Sequence, residues 1–299
     1  MFDINGNVID KTTHKTFNQN TIDTAYWWKN GFDYKETFTY KNTSLKSGIY
    51  YFENASPFII KNPKKTNDVL VIYPSNTDNA YNKRGGRSSY TNPLGETLSF
   101  KRPTEIQKYC KPFLQWLPKQ NFKVDYCCDA DLDDYKNLKN YNTIIIPGHS
   151  EYWSRKSRLN FDKFIAKGGN AIILSGNTMW WQVRYENGNM ICYKDAINDS
   201  LVNDSLKTIQ WTKPALNYSI LNSIGANFNY GGYGTKNDNG WNGYKITSNS
   251  PLFKNTGIEV GDILKFTTIE YDGAPLVFNK NKPQLDMSKI NFYKQQLLG

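Results

Sequence analysis

Between Asp68 and Thr178 the chain alternates two hydrophobic patterns. Four runs are apolar throughout and have strand length: "DVLVIYP" (68–74), "KVDYCCD" (123–129), "NTIIIPG" (142–148) and "NAIILSGNT" (170–178). Continuous apolar strands belong in a sheet that is covered on both faces. Between them lie segments with helical spacing. "TEIQKYCKPFLQWLPKQ" carries Ile106, Tyr109, Cys110, Phe113 and Leu117 on one face, which predicts a helix. "DLDDYKNLKNY" reads as a short helix with an acidic start. "SRKSRLNFDKFIAKGG" reads as a helix running from a Ser cap to a Gly pair. The β-α-β-α-β order predicts an α/β fold with a mainly parallel sheet and helices on both faces.

Outside this block the grammar differs. Residues 1–66 are polar, aromatic and β-like, with short strands at "KETFTY" and "SGIYYFE" and a close at "PFIIKNPKK". They predict a β-rich appendage on an α/β domain spanning 67–299. After the strand at 68–74, "NAYNKRGGRSSY" reads as a Gly-rich loop. Beyond Asn198 the chain is rich in Gly and Asn, and "GDILKFTTIEYDGAP" predicts a late strand or hairpin ending in an acidic turn.

In open parallel sheets, ligands bind beyond the carboxyl ends of the strands. That rule collects Asn76–Tyr81, then His149 and Glu151, then Asn177 on one rim. "IIIPGHSEYW" (144–153) is the densest of these segments, and His149 is one of only two histidines among 299 residues. Its layout resembles a nucleophile elbow, but Glu151 and Tyr152 stand where such a turn needs glycine, so Ser150 is a poor nucleophile. A zinc site with three histidines is excluded, and a two-histidine site would have to recruit His14. A hard cation on oxygen ligands fits better, with Glu151, tyrosines and Asn177 as candidates. The bland reading stands beside it: a Glu at a helix start often only meets the helix dipole, and a lone His at a turn often only makes hydrogen bonds.

Composition narrows the classes. The chain is 38% hydrophobic and 15% aromatic, enough for a sizeable core. Its formal net charge of +10 comes from scattered lysines. No recognition motif accompanies them, so nucleic acid is not an expected partner. The four cysteines form no CxxC pair, so buried free thiols in a reducing cytoplasm are expected. The N-terminus shows no secretory signal pattern, and no apolar run reaches the length of a membrane span.

Seven phrases, in order, bring a family into view: "SGIYY", "NTDNAYNKRGGRSSY", "FKRP", "PGHSEYWS", "GGNAIILSGNTMWWQVR", "MICYKD" and "GDILKFTTIEYDG". Together they resemble the C-terminal domain of the large (beta) subunit of N,N-dimethylformamidase, over roughly Gly48 to Gly273. The resemblance implies a glutamine-amidotransferase-like, flavodoxin-like fold. It implies a mononuclear iron, ferric in character, held by two tyrosines and a glutamate. The glutamate falls on Glu151 and one tyrosine on Tyr81. The other falls on Tyr50, with the adjacent Tyr51 as the alternative. His149 falls near the metal without binding it, Asn177 beside it, and Glu270 on an acidic position of the late strand.

The expected function is therefore metal-dependent hydrolysis of an amide C–N bond in a small amide. His149, Asn177 and Glu270 would be the catalytic groups, and Tyr50, Tyr81 and Glu151 the metal ligands. The family enzyme has a separate small subunit, so a small partner subunit or a homo-oligomer is open. The rival reading is a non-catalytic protein that binds a sugar or an anionic glycan in the same cleft.

Overall fold

The computed structural model describes all residues except 14–18, 20–24, 43, 63, 65, 201–202, 235–242, 266–267, 281, 291–297 and 299. His14 lies outside the described residues.

Four parallel strands form the central sheet: Val69–Tyr73, Val124–Cys128, Thr143–Gly148 and Asn170–Ser175. Their spatial order is second, first, third, fourth. Successive residues of each strand feed opposite faces. Leu70, Ile72, Ile144 and Ile146 pack with Phe161 and Phe164 of the helix Arg155–Ala166. Val71, Tyr73 and Ile145 pack on the other side with Leu114 of the helix Lys111–Trp116. Both faces of the parallel sheet are thus covered, as the unbroken apolar runs require. Ile4 and Ile49 of the N-terminal segment join this second core. Their strands, Phe2–Asp3 and Gly48–Tyr51, form an antiparallel sheet with Phe58–Ile60.

The expectation of a mainly parallel architecture needs correction. A second four-stranded sheet is mixed: Thr97–Ser99, Asn189–Ile191 and Trp181–Glu186 pair antiparallel, and Tyr152–Ser154 joins parallel to Trp181–Glu186. The later strands form antiparallel pairs, among them Asn227–Tyr233 with Glu270–Gly273. Close turns such as Asn187–Gly188, where both residues have positive φ, return the chain antiparallel. Parallel pairing needs a long crossover.

Two helix predictions and one loop prediction also shift. The segment around Phe113 is helical only over Lys111–Trp116. Pro112 lies at its first turn, the one place where its missing N–H and fixed φ cost nothing. The Asp-rich stretch forms two 3-10 turns, Asp129–Asp133 and Tyr135–Asn137. The expected Gly-rich loop begins later, because Ser75–Tyr81 is a helix directly after the first strand.

Candidate functional site

The strand order creates a switch point between Val69–Tyr73 and Thr143–Gly148, whose chain continuations run to opposite sides of the sheet. A crevice at the carboxyl ends is a consequence of that topology. The helix Ser75–Tyr81 leaves one of these strands and ends at Tyr81. The other ends at Gly148, where φ is +77° and an added Cβ would lie 2.6 Å from Gln107 Oε1 and 2.9 Å from Cys110 Cβ. Only glycine turns the chain there, and the turn delivers His149 and Glu151 to the crevice.

The two segments are bolted together. The Glu151 N–H donates to Thr77 Oγ1 at 2.9 Å. His149 is clamped by Gln107, which accepts from the His149 N–H at 2.8 Å and donates to its carbonyl at 3.0 Å.

Glu151 is 2% exposed and forms the hub. Its Oε2 accepts from the Tyr81 hydroxyl at 3.1 Å and the Tyr90 hydroxyl at 2.9 Å. Its Oε1 accepts from Trp181 Nε1 at 3.0 Å and Asn177 Nδ2 at 3.3 Å. The rings of Tyr81 and Tyr90 stack with centroids 4.2 Å apart. Burial first, and then the Glu151 charge, push both phenols well above their ordinary pKa.

His149 Nδ1 lies 2.9 Å from the Gly176 carbonyl. A carbonyl can only accept, so Nδ1 carries the proton and Nε2 is the group that titrates. Nε2 is 3.3 Å from Glu151 Oε2, 3.7 Å from Glu270 Oε2 and 3.3 Å from the Tyr81 hydroxyl. Burial works against the imidazolium, but the hydrogen bond and charge of Glu151, followed by the charge of Glu270, raise the histidine above its usual value.

Glu270 arrives from the far strand Glu270–Gly273 because Gly176 lets that strand approach: a Cβ on Gly176 would lie 2.1 Å from the Glu270 carbonyl oxygen. Two residues on, Asp272 Oδ2 accepts from the Thr178 N–H at 3.0 Å and braces the turn at Asn177, whose φ is +54°. Burial raises the Asp272 pKa. Asn177 Oδ1 is buried and accepts no hydrogen bond among the described residues.

Tyr81, His149, Glu151, Asn177 and Glu270 therefore converge, whereas Tyr50 and Tyr51 do not join them. The Tyr50 hydroxyl donates to the Lys46 carbonyl at 3.0 Å, and its ring packs on Phe58 in the N-terminal sheet. Tyr51 stacks on Phe2. The second phenol on Glu151 is Tyr90, which sequence reasoning missed, along with Trp181. Both lie in phrases that carried the resemblance, but a chain with 21 tyrosines gives no local reason to choose this one. Ser150 is 1% exposed, its Oγ accepts from Trp153 Nε1 at 3.0 Å, and it does not line the cleft, so nothing favours it as a nucleophile.

The oxygen set is chemically compatible with a hard cation, although its separations are also those of ordinary hydrogen bonds. At metal–oxygen distances of about 2.0–2.1 Å, neighbouring octahedral ligands lie about 2.9 Å apart. The Glu151–tyrosine separations of 2.9–3.1 Å match that edge. A set of three or more His, Cys, Asp or Glu side chains that could hold a metal is not found among the described residues. The fit thus depends on the phenols.

A family model described as N,N-dimethylformamidase beta subunit-like, C-terminal, matches residues 7–295. The chain belongs to that family. Comparison with curated proteins gives no match. At a coarse level, membership supports an amide hydrolase. In this family member Tyr81 and His149, both in contact with Glu151, open onto a cleft of about 1360 Å³ that is lined by Asp78, Glu105, Glu270 and Asp272 together with Lys83, Arg84 and Lys108. Burial pushes the Asp78 pKa up to about 7. This mixed lining gives the sugar or glycan reading no specific support. Among the described residues, no helix is long and apolar enough to cross a membrane.

Proposed function

We propose that the protein hydrolyses amide C–N bonds at a mononuclear ferric site held by Tyr81, Tyr90 and Glu151. The observation that carries this reading is the meeting of two phenol oxygens on one buried carboxylate oxygen, at 3.1 and 2.9 Å. A bound ferric ion would supply Lewis acidity for polarising an amide carbonyl and acidifying water. Both tyrosines must give up their protons to bind it, so affinity falls steeply as pH is lowered.

The remaining steps belong to the chain's own groups. His149 Nε2, with its tautomer fixed by the Gly176 carbonyl, takes a proton from the attacking water and returns it to the leaving amine. Asn177 orients the amide: Nδ2 points at Glu151, and Oδ1 is free to accept an amide or water proton. Glu270, 3.7 Å from Nε2, stabilises the imidazolium and serves as a second acid/base group. The cleft volume admits substrates larger than a dialkyl formamide. The family description names a beta subunit, which supports a second, smaller chain as a partner. The four free cysteines support a reducing, cytoplasmic setting.

The decisive experiment is purification without chelator, followed by elemental analysis, a visible spectrum and an amine-release assay on a panel of amides. We expect about one iron per chain, a tyrosinate-to-iron charge-transfer band, and amine release that disappears when the iron is removed. A colourless protein that binds no iron after loading would overturn the metal reading.

A further inference from the structure

Behind the candidate ligands lies a half-buried ammonium group that none of the proposed steps uses. Lys194 Nζ sits 3.7 Å from the centroid of Tyr90, 4.8 Å from that of Trp181 and 5.4 Å from that of Tyr152. The same three rings belong to the Glu151 network. Tyr90 and Trp181 donate to Glu151, and the Tyr152 hydroxyl lies 2.9 Å from that of Tyr90. The polar edges of Tyr90 and Trp181 thus meet the carboxylate while the ring faces meet the lysine.

No ion pair among the described residues includes Lys194. Its backbone is held at φ +60°, in the left-handed region that side chains other than glycine and asparagine rarely adopt. The N–H of this strained residue donates to the Thr208 carbonyl at 2.9 Å, which pins it. Strain of this kind persists where the surroundings enforce it, and it concentrates at functional positions.

A cation on the face of a phenol withdraws electron density from the ring and from its oxygen. We propose that Lys194 is a positioning residue. Its ammonium holds the Tyr90 ring against Glu151 and sets the donor strength of the Tyr90 oxygen toward the metal. This rests on the reading of Tyr90 as a ligand.

The test uses Lys194→Met, which keeps the length and removes the charge, and Lys194→Arg, which restores a cation. The first readout needs neither metal nor activity: ¹⁹F NMR of metal-free protein labelled with 3-fluorotyrosine, with the Tyr90 resonance assigned by its loss in Tyr90→Phe. We expect that resonance to move upfield in Lys194→Met and to return toward the wild-type position in Lys194→Arg.

The second readout is the iron-loaded spectrum. A more electron-rich phenolate transfers charge at lower energy, so the band should move to longer wavelength in Lys194→Met. A lower melting temperature with resonance and band unmoved would make Lys194 a packing residue and overturn the proposal. If Lys194→Met does not fold, Lys194→Gln takes its place. If wild-type protein binds no iron, the ligand reading fails, while the metal-free resonance still judges the contact of Lys194 with Tyr90.

Discussion

The floor and the far wall of the cleft are built differently. The floor comes from the ends of strands whose side chains are almost wholly removed from water: Leu70, Val71, Ile72, Ile144 and Ile146 are at most 1% exposed. The wall comes from two-stranded ribbons. Glu270–Gly273 pairs with Asn227–Tyr233, a strand with only one buried residue, and all four residues of the nearby strand Leu276–Asn279 are exposed. Local stability follows buried contacts, so the ribbons open at lower cost than the sheet. His149 and Glu151 inherit the precision of the sheet. Glu270 depends on the close approach allowed by Gly176. A rigid floor that holds the proposed metal ligands, faced by a wall that can yield, suits a site that must admit and release substrate.

The strongest challenge to this contrast is Glu151→Ala, at the centre of the floor. It removes the one carboxylate that both phenols share, and we expect loss of bound iron together with loss of all measurable turnover. Elemental analysis and the amine-release assay read both. His149→Ala should separate the two properties: iron stays near one per chain, while turnover drops about 10²- to 10⁴-fold, the range of a general base. Loss of iron in that variant would make His149 a ligand.

Gly176→Ala tests the junction between floor and wall. Its Cβ would meet the Glu270 carbonyl, so the ribbon must move. We expect a fall in kcat, retained iron, and a stability loss of about 1–3 kcal/mol from overpacking, measured by denaturant unfolding.

The smallest effect belongs to Asp125, at the opposite end of the sheet from the cleft. Burial disfavours its charge, but hydrogen bonds from Thr66, Asn67 and Tyr141 outweigh that and lower its pKa. A depressed carboxylate contributes stability above its unfolded pKa of about 3.9, and that contribution is lost as pH falls through the lower folded value. Asp125→Asn should cost about 1–2 kcal/mol at neutral pH, the scale of weakened hydrogen bonds to a charged group. It should also flatten the fall of melting temperature below about pH 4, and it should leave turnover unchanged. A change in kcat there would break the separation between the two ends.

Much of the floor was legible in the chain. Unbroken runs such as "NTIIIPG" can be satisfied only by burial on both faces, and the rule for strand ends then selects His149, Glu151 and Asn177. The same rule includes Tyr81 at the end of the stretch Asn76–Tyr81, and the resemblance adds its role as a ligand. The resemblance implies Tyr50, with Tyr51 as the alternative, but the Tyr50 hydroxyl is satisfied by the Lys46 carbonyl and Tyr51 stacks on Phe2. The mixed sheet was not legible, because strands as short as Tyr152–Ser154 carry too few residues for a period.

The sequence by itself determined the parallel sheet, the turn at Gly148 and the chemistry available at its mouth, because hydrophobic period and turn residues act over a few positions. Only the tertiary structure decided which phenols meet Glu151, how Glu270 reaches His149 and where the ammonium of Lys194 rests. Each of these contacts joins residues dozens of positions apart. It is fixed by strand order, by the space left at a glycine and by which ring edges can share one carboxylate, none of which is written in any local pattern.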